Sequence, residues 1–385
     1  MRKCILMPDS FKGTMSSIEV CEIMREKIIV SFPNCEVIGI PVADGGEGTV
    51  DCFLTALGGK KVELEVCGPL FERIRAQYGI IDHGSTAVIE MAACAGLPLM
   101  ANRLDVANTT TYGVGEMIAD ALAKGCENII VGLGGSCTND GGAGMAAAMG
   151  TCFFNEAGEE FVPVGCTLGK IAHIEYLPQS ARVRRANIMG MCDVDNPLLG
   201  DTGAAAIFGP QKGADAEMIR VLDENLRHMA EVIQRESGME IASIAGAGAA
   251  GGMGAGMIAY LGAKLKRGID IVLDTVRFEE LLQGVDCVLT GEGRIDQQSL
   301  RGKVVQGVAS RAKRHNVPVI AVVGDIGDDI EQIYSEGVSS IFSINTLAIP
   351  FTQAKLRSCK DLAFTMDNLM RCIRVFSDCP QRVIQ

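Results

Sequence analysis

Residues 127–150 read ENIIVGLGGSCTNDGGAGMAAAMG, and the change of character along this stretch decides the fold. Its opening, ENIIVGLGG, is a short apolar run of the kind that makes a buried strand, and its close, GAGMAAAMG, begins a helix. Between them lie glycines and the small polar side chains of Ser136, Thr138, Asn139 and Asp140. A strand that runs through a glycine-rich loop into a helix is half of a βαβ unit. Glycine lets a ligand come close to the backbone. The start of a helix offers unbonded N–H groups and the positive end of its dipole. The loop therefore reads as a cradle for phosphate or carboxylate. Gly134, Gly135, Ser136 and Thr138 are its candidate contacts, the two hydroxyls serving as extra donors.

Outward from this loop the pattern repeats. Apolar runs predict strands at 4–7, 36–41, 87–91, 187–192, 286–290 and 317–323, and helical periodicity predicts helices at 16–30, 115–124, 217–236 and 300–313. Ser16 with Glu19 three residues later spells a capping box. Such alternation predicts an α/β protein with mainly parallel sheets. The predicted strands run into PDSFKG, PVADGGEGT, CDVDNP, TGEGRID and VVGD, loops rich in Gly and Asp. Ligands of open α/β sheets bind beyond the carboxyl ends of the strands. Together the loops predict one acidic, glycine-lined cleft.

At 385 residues the chain is long enough for two hydrophobic cores. A net charge of −12 excludes a general attraction to nucleic acid or to an anionic membrane. The 15 cysteines show no C-x-x-C spacing and several lie in apolar runs, so reduced, buried thiols and a cytoplasmic location are expected. The start, MRKCILMPDS, has too short an apolar run for a signal peptide, and no run of about 18 apolar residues predicts a membrane span. The 4 histidines all lie outside the glycine-rich loops, which argues against His-based nucleophilic catalysis and a His-ligated metal.

The chain has no G-x-x-x-x-G-K-[ST] loop, so phosphate needs another cradle. Gly246, Gly248 and Gly251 do spell G-x-G-x-x-G, with Asp270 downstream. The preceding SGMEIASIA makes a poor buried strand, and close packing of a helix through Gly and Ala explains the glycines better. Lys12, Lys212, Arg294 and Lys303 stand within or beside glycine-rich loops, where anion binding competes with the ordinary solvated fate of such side chains. The loop carboxylates are Asp9, Asp44, Glu47, Asp193, Asp195, Glu292 and Asp296. Acids beside an anion site make sense if Mg²⁺ bridges them to substrate phosphates and one Asp accepts a hydroxyl proton. The residues describe an α/β enzyme handling a small anionic substrate with Mg²⁺ and phosphate, and leave the substrate unnamed.

PDSFKG, PVADGGEGT, GLGGSCTNDGGAG, CDVDNPLLG, FGPQKGA, GAAGGMGAG and TGEGRIDQQSLRGK occur in this order between about residue 1 and about residue 375. In these motifs the chain resembles the bacterial glycerate kinases that phosphorylate D-glycerate. The resemblance implies ATP as phosphoryl donor, 2-phosphoglycerate as the usual product, and a place in sugar-acid or glyoxylate catabolism. It also implies a Rossmann-like domain from 1–65 plus 287–385, a partly flavodoxin-like domain inserted at 66–286, and an active site between the two. Lys12, Lys212 and Arg294 are then expected to clamp phosphate or the glycerate carboxylate. Asp193 is the first candidate for catalytic base and Asp296 the second. Asp44 and Asp195 are candidate Mg²⁺ contacts, with Asp44 and Glu292 also on the substrate side. Thr14 and Cys137 replace the family's usual Ser and Ala, and neither change removes a charge. A homo-oligomer is admissible; no nucleic-acid or membrane partner is expected. Three other readings compete: a kinase of a related hydroxy acid, a non-catalytic sensor of phosphorylated metabolites, and a dinucleotide dehydrogenase using Gly246–Gly251. The acids beside the glycine loops weigh against the sensor, which gains little from them.

Overall fold

The computed structural model describes residues 1–101, 103–176, 183, 185–296 and 303–378. It is an α/β protein that divides into two compact units, residues 1–43 with 269–385 and residues 44–268. In chain order the first strands are β1 (Lys3–Pro8), β2 (Glu36–Gly39), β3 (Lys60–Cys67), β4 (Arg73–Ile81), β5 (Thr86–Glu90) and β6 (Asn128–Gly132). Then come β7 (Cys152–Phe154), β8 (Glu160–Phe161), β9 (His173–Glu175), β10 (Asn187–Met191) and β11 (Lys264–Lys266). The last are β12 (Cys287–Gly291), β13 (Arg294–Ile295), β14 (Val319–Val323), β15 (Asp325–Ile326) and β16 (Val338–Ser343).

The first unit holds a five-stranded sheet ordered β16-β14-β12-β1-β2, with every neighbouring pair parallel. Counted within the unit this is the doubly wound order 2-1-3-4-5, whose direction reverses between β1 and β12. Cys4, Leu6, Leu289 and Val322 from the sheet share a buried core with Val20 and Met24 of the helix Ser17–Ser31 and Leu362 and Met366 of the helix Ser358–Asp378. The capping box at the first of these helices is present. Ser16 Oγ accepts from the Glu19 N–H at 3.2 Å, and Glu19 Oε2 accepts from the Ser16 N–H at 2.8 Å. The helix expected at 300–313 spans Val304–Arg314; residues 300–302 lie outside the described residues.

The second unit holds a mixed sheet ordered β11-β10-β6-β5-β4-β3. The strands from β11 to β5 run parallel, and β4 and β3 add antiparallel. Ile129, Val131, Ile89 and Ile188 face a core completed by Val114 and Met117 of the helix Tyr112–Ala123 and by Met253 and Met257 of the helix Ala249–Leu261. A small antiparallel sheet, β8-β7-β9, lies beside the long helix Ala216–Ser237, which Asp215 caps by accepting the N–H groups of Glu217 and Met218 at 3.1 and 2.8 Å.

The units divide at 43/44 and 268/269 rather than at 65/66 and 286/287. Residues 44–65 belong with the second unit because β3 pairs with β4, the helix Thr49–Leu57 packs on β4 and β5, and the Val50 N–H donates to Glu90 at 2.7 Å. Residues 269–286 belong with the first because Arg311 pairs with Asp270, Asp274 and Glu279 at 3.3, 2.8 and 3.1 Å. Every described cysteine is a free thiol, and Cys359 and Cys372 are exposed rather than buried. Among the described residues no helix is long and apolar enough to cross a membrane.

Candidate active site

β6 is flanked on both sides within its sheet, so the loop after it leaves from the sheet's interior. That loop lies directly on the backbone of residues 45–46. The Gly134 N–H donates to the Gly45 carbonyl at 3.0 Å, and a Cβ on Gly134 would sit 2.7 Å from Gly46 Cα. Only glycine allows the two loops to approach this closely. Among the described residues the N–H groups of Gly135 and Ser136 make no hydrogen bond. They remain available to a ligand.

The start of the following helix is not available. The Asp140 carboxylate is completely buried and accepts from the Gly142 and Gly144 N–H groups at 3.1 and 3.2 Å. It also accepts from the Thr111 N–H at 2.7 Å and the Thr111 hydroxyl at 2.8 Å, while Thr111 Oγ1 takes the Met145 N–H at 2.9 Å. The helix Ala143–Ala148 thus spends its first donors within its own chain, Ala143 N–H on the Asp140 carbonyl, Gly144 N–H on the Asp140 carboxylate and Met145 N–H on the Thr111 hydroxyl. This corrects the expectation that an anion sits on the helix start. Burial pushes the Asp140 carboxyl upward, against the hydrogen bonds that pull it down.

Lys212 supplies the charge of the cradle. Its side chain is 2% exposed, and its ammonium donates to Ser136 Oγ at 2.8 Å and to the Thr138 carbonyl at 2.7 Å. With Ser136 Oγ engaged as acceptor, the hydroxyl proton is free to point at a ligand. Burial lowers the Lys212 ammonium to about 8, with Cys137 and Asp140 pulling the other way. Thr138 itself is buried and does not line the cavity, so its hydroxyl is not placed as a donor there. Thr138 Oγ1 and both amide atoms of Asn139 have no hydrogen-bond partner among the described residues.

Above the cradle opens a cavity of about 330 Å³ within the second unit. Asp44, Gly134, Gly135, Ser136, Asp193 and Lys212 all line it, so six of the candidate residues meet here. Asp193 Oδ1 accepts from the Gly268 N–H at 2.7 Å. Apolar surface comes from Leu97, Leu133, Phe208 and Ala249. Asp195 is exposed and is not part of this lining.

The remaining candidates lie in the first unit. Lys12 lines a second cavity of about 270 Å³. Glu292 is buried, Asp296 half-buried, and Arg294 is exposed with its guanidinium 3.9 Å from Asp325. The loops expected to make one cleft therefore divide between the units: 132–142, 192–197 and most of 41–49 in the second, and 8–13, 290–296 and 322–325 in the first. Among the described residues no group of three His, Cys, Asp or Glu side chains is gathered so that it could hold a metal. Sequence reading missed Asp140, whose role shows only once Thr111 is folded beside it. It also missed Gln211, which lines the larger cavity and whose signal was its place next to Lys212 in FGPQKGA.

Parallel strands ending in glycine loops, a buried lysine and two carboxylates around one cavity define an α/β enzyme of small anionic substrates. The glycerate kinase family model matches residues 4–374. A Bacillus subtilis glycerate kinase is 46% identical over 353 residues, covering 91% of this chain and 92% of that protein. The Escherichia coli glycerate 2-kinase is 45% identical over 345 residues, covering 89% and 91%. A crystal structure from Salmonella typhimurium LT2, named glycerate kinase 2, superposes with a TM-score of 0.87 at 40% identity and covers 98% of this chain and 100% of that one. The chain belongs to the glycerate kinase family.

Proposed function

We propose that the chain transfers the γ-phosphoryl group of ATP to a hydroxyl of D-glycerate, giving 2-phosphoglycerate, and that it does so in the cytoplasm. The observation that carries this reading is the meeting of Lys212, the open N–H groups of Gly135 and Ser136, and the carboxylates of Asp44 and Asp193 in one cavity. Phosphoryl transfer asks a protein for positioning and charge neutralisation more than for covalent chemistry. Lys212 and Ser136 hold the carboxylate of glycerate, and the glycine backbone keeps that end of the cavity close and rigid. Asp193 accepts the proton of the attacking hydroxyl, its own orientation set by the Gly268 N–H. Asp296 remains the second candidate for that proton. Lys12 and Arg294 stand in the first unit as clamps for phosphate, with Glu292 buried in the same loop.

Asp44 offers the hard carboxylate oxygen that Mg²⁺ prefers, beside Asp193 in the same cavity. Mg²⁺ usually binds through one or two carboxylates and the substrate's phosphates, and this donor set fits that habit better than a cage of side chains. When bound, Mg²⁺ neutralises phosphate charge. Asp195, exposed and outside the lining, is the weaker contact of the pair.

The test is an assay with ATP, Mg²⁺ and D-glycerate, following ADP release and reading the product's position by phosphorus NMR. D-glycerate should turn over and give a single 2-phospho product. Glycerol, which has the hydroxyls but no carboxylate for Lys212, should lose at least tenfold in kcat/KM. Equal rates with glycerol would overturn the carboxylate assignment, and no ADP release with D-glycerate would overturn the function.

A further inference from the structure

The cavity of the first unit holds Lys12, proposed above as a phosphate clamp, and its other lining residues have no role in the chemistry above. It opens where the sheet order reverses, between β1 and β12, the place where doubly wound sheets bind ligands. Four parallel strands feed it from their carboxyl ends. Phe11, Lys12 and Thr14 come after β1, Gly293 after β12, Gly324 and Asp325 after β14, and Ile344 and Asn345 after β16. Its floor is backbone. The Gly324 and Asp325 N–H groups donate to the Glu292 and Gly293 carbonyls at 3.1 Å each, and a Cβ on Gly324 would sit 2.2 Å from the Gly293 carbonyl oxygen.

The walls differ in chemistry from one another. Ile344 at 3% exposure and the half-buried Ile349 form an apolar side, and Phe351 stands over it with 65% of its surface open to solvent. A large aromatic left this exposed beside a cavity is a stacking surface that no described residue covers. The exposed Asn345 side chain makes no hydrogen bond within the described chain, so its donor and acceptor are both open to a flat ring with mixed edges. Lys355 also lines the cavity and pairs with no carboxylate among the described residues. Asp325 supplies an acceptor for hydroxyl groups, the role an acidic residue plays toward ribose in doubly wound sheets. An aromatic and aliphatic side, an amide, an acid and two lysines match a purine, a ribose and phosphates in turn. A volume of about 270 Å³ suits a nucleoside, with the charged tail leaving past the lysines.

We propose that the cavity of the first unit binds the nucleoside of ATP, with the base between Phe351 and Ile344, Asn345 on its edge, Asp325 on the ribose, and Lys12 and Lys355 toward the phosphates. The inference rests on ATP being the phosphoryl donor and adds where its nucleoside is held. Phe351 and Asn345 lie on the surface, so Phe351→Ala and Asn345→Ala should leave thermal stability unchanged.

The experiment is titration of the full chain with the non-hydrolysable analogue AMP-PNP and Mg²⁺, without glycerate, for wild type and both variants. It is paired with photolabelling by 8-azido-ATP and peptide mapping. Phe351→Ala should weaken AMP-PNP at least tenfold and raise the KM for ATP to match, with the KM for D-glycerate unmoved. The label should fall on peptides within 344–358. Tight AMP-PNP binding that ignores both variants, or label confined to 44–50 or 132–142, overturns the location while leaving ATP as the donor. No AMP-PNP binding by wild type overturns both. Because glycerate is absent from the titration, a wrong acceptor substrate does not disturb the result.

Discussion

The cradle depends on one buried ammonium, and that makes its pH dependence calculable. Lys212 falls from an ordinary 10.5 to about 8 because burial penalises its charge. At about 1.36 kcal/mol per tenfold, the gap corresponds to roughly 3 kcal/mol. The folded protein binds this proton less well than the unfolded chain does. Below pH 8 both states carry it and the folded state bears the whole penalty. Between pH 8 and 10.5 the folded state sheds the proton first and the penalty fades. An anion bound against the ammonium reverses the preference, because an opposite charge favours the protonated form. With the glycerate carboxylate held on Lys212 as proposed, free enzyme above pH 8 takes up a proton on binding it. The expected outcome is a kcat/KM for glycerate that is flat to about pH 8 and then falls toward tenfold per pH unit, while kcat holds to higher pH because the bound anion keeps Lys212 charged.

Neighbouring groups do not mimic this inflection. Burial pushes the Cys137 thiol up to about 12 and the Cys192 thiol to about 11, both above the window. Asp140 is raised from the carboxylate range by burial and opposed by its four hydrogen bonds. Lys212→Met keeps the apolar stem and removes the charge. A hydrogen bond to a charged group contributes about 1.5–3 kcal/mol, so kcat/KM should fall roughly 10- to 150-fold at pH 7. The variant's profile should also lose the inflection near 8. Initial rates at saturating ATP from pH 6.5 to 10 decide the matter. A wild-type profile flat to pH 9.5, or an inflection that survives in Lys212→Met, refutes the assignment.

Two further outcomes follow from the same geometry. Asp193→Asn keeps an oxygen for the Gly268 N–H but removes the base, so kcat should drop about 10²- to 10⁴-fold with little change in KM, and a kcat within a few-fold of wild type removes Asp193 from that role. Gly251→Ala should cost roughly 2–5 kcal/mol in denaturant unfolding, since its φ is +67° and the new Cβ would sit 1.9 Å from the Thr138 carbonyl oxygen. Gly262→Ala, at φ +63° with nothing within 4 Å, should cost only about 1 kcal/mol, and equal losses in the two variants would refute the packing argument.

Elements with a clear period were legible from the chain alone. The strand read from ENIIVGLGG is found at Asn128–Gly132, and the helix expected at 217–236 is found at Ala216–Ser237, where Asp215 and Gly238 cap a long amphipathic pattern. The hairpin of β3 and β4 is absent from the strands expected, because KKVELEVC and RIRAQYGII mix charge into runs that become strands only on pairing with each other. The helix Ser358–Asp378 is absent too; its buried Leu362, Met366 and Met370 acquire meaning only against the helix Ser17–Ser31. The site divides along the same line. Lys212, Ser136 and Asp193 announce themselves by residue type within glycine loops. Asp140 does not, since a lone Asp in a glycine loop looks like any turn residue until Thr111, 29 positions away, closes on it. Phe351, Asn345 and Lys355 follow no motif, and only the ends of four strands bring them together with Lys12.

The G-x-G-x-x-G at Gly246–Gly251 shows why a glycine pattern has to be read with its partner. Only Gly251 of the three faces the other glycine-rich loop; Gly246 lies against Cys192 and Leu265, and Gly248 against Pro197. The Gly141 N–H donates to the Gly251 carbonyl at 3.0 Å, and a Cβ on Gly256 would stand 2.4 Å from the Gly141 carbonyl oxygen. Ala250, Gly251 and Gly252 all take positive φ at this contact, with Ala250 lining the larger cavity. A non-glycine residue held in that conformation stores strain of order 1–3 kcal/mol, which persists only where the surroundings impose it. Here the imposing surface is the backbone of Thr138 and Asn139, and the Thr138 carbonyl is in turn held by the Lys212 ammonium at 2.7 Å. The two glycine-rich segments therefore form one rigid body around the buried lysine. Rigidity of this kind costs the cradle no rearrangement when the anion arrives, which is the condition under which a single charge-assisted hydrogen bond contributes most to catalysis.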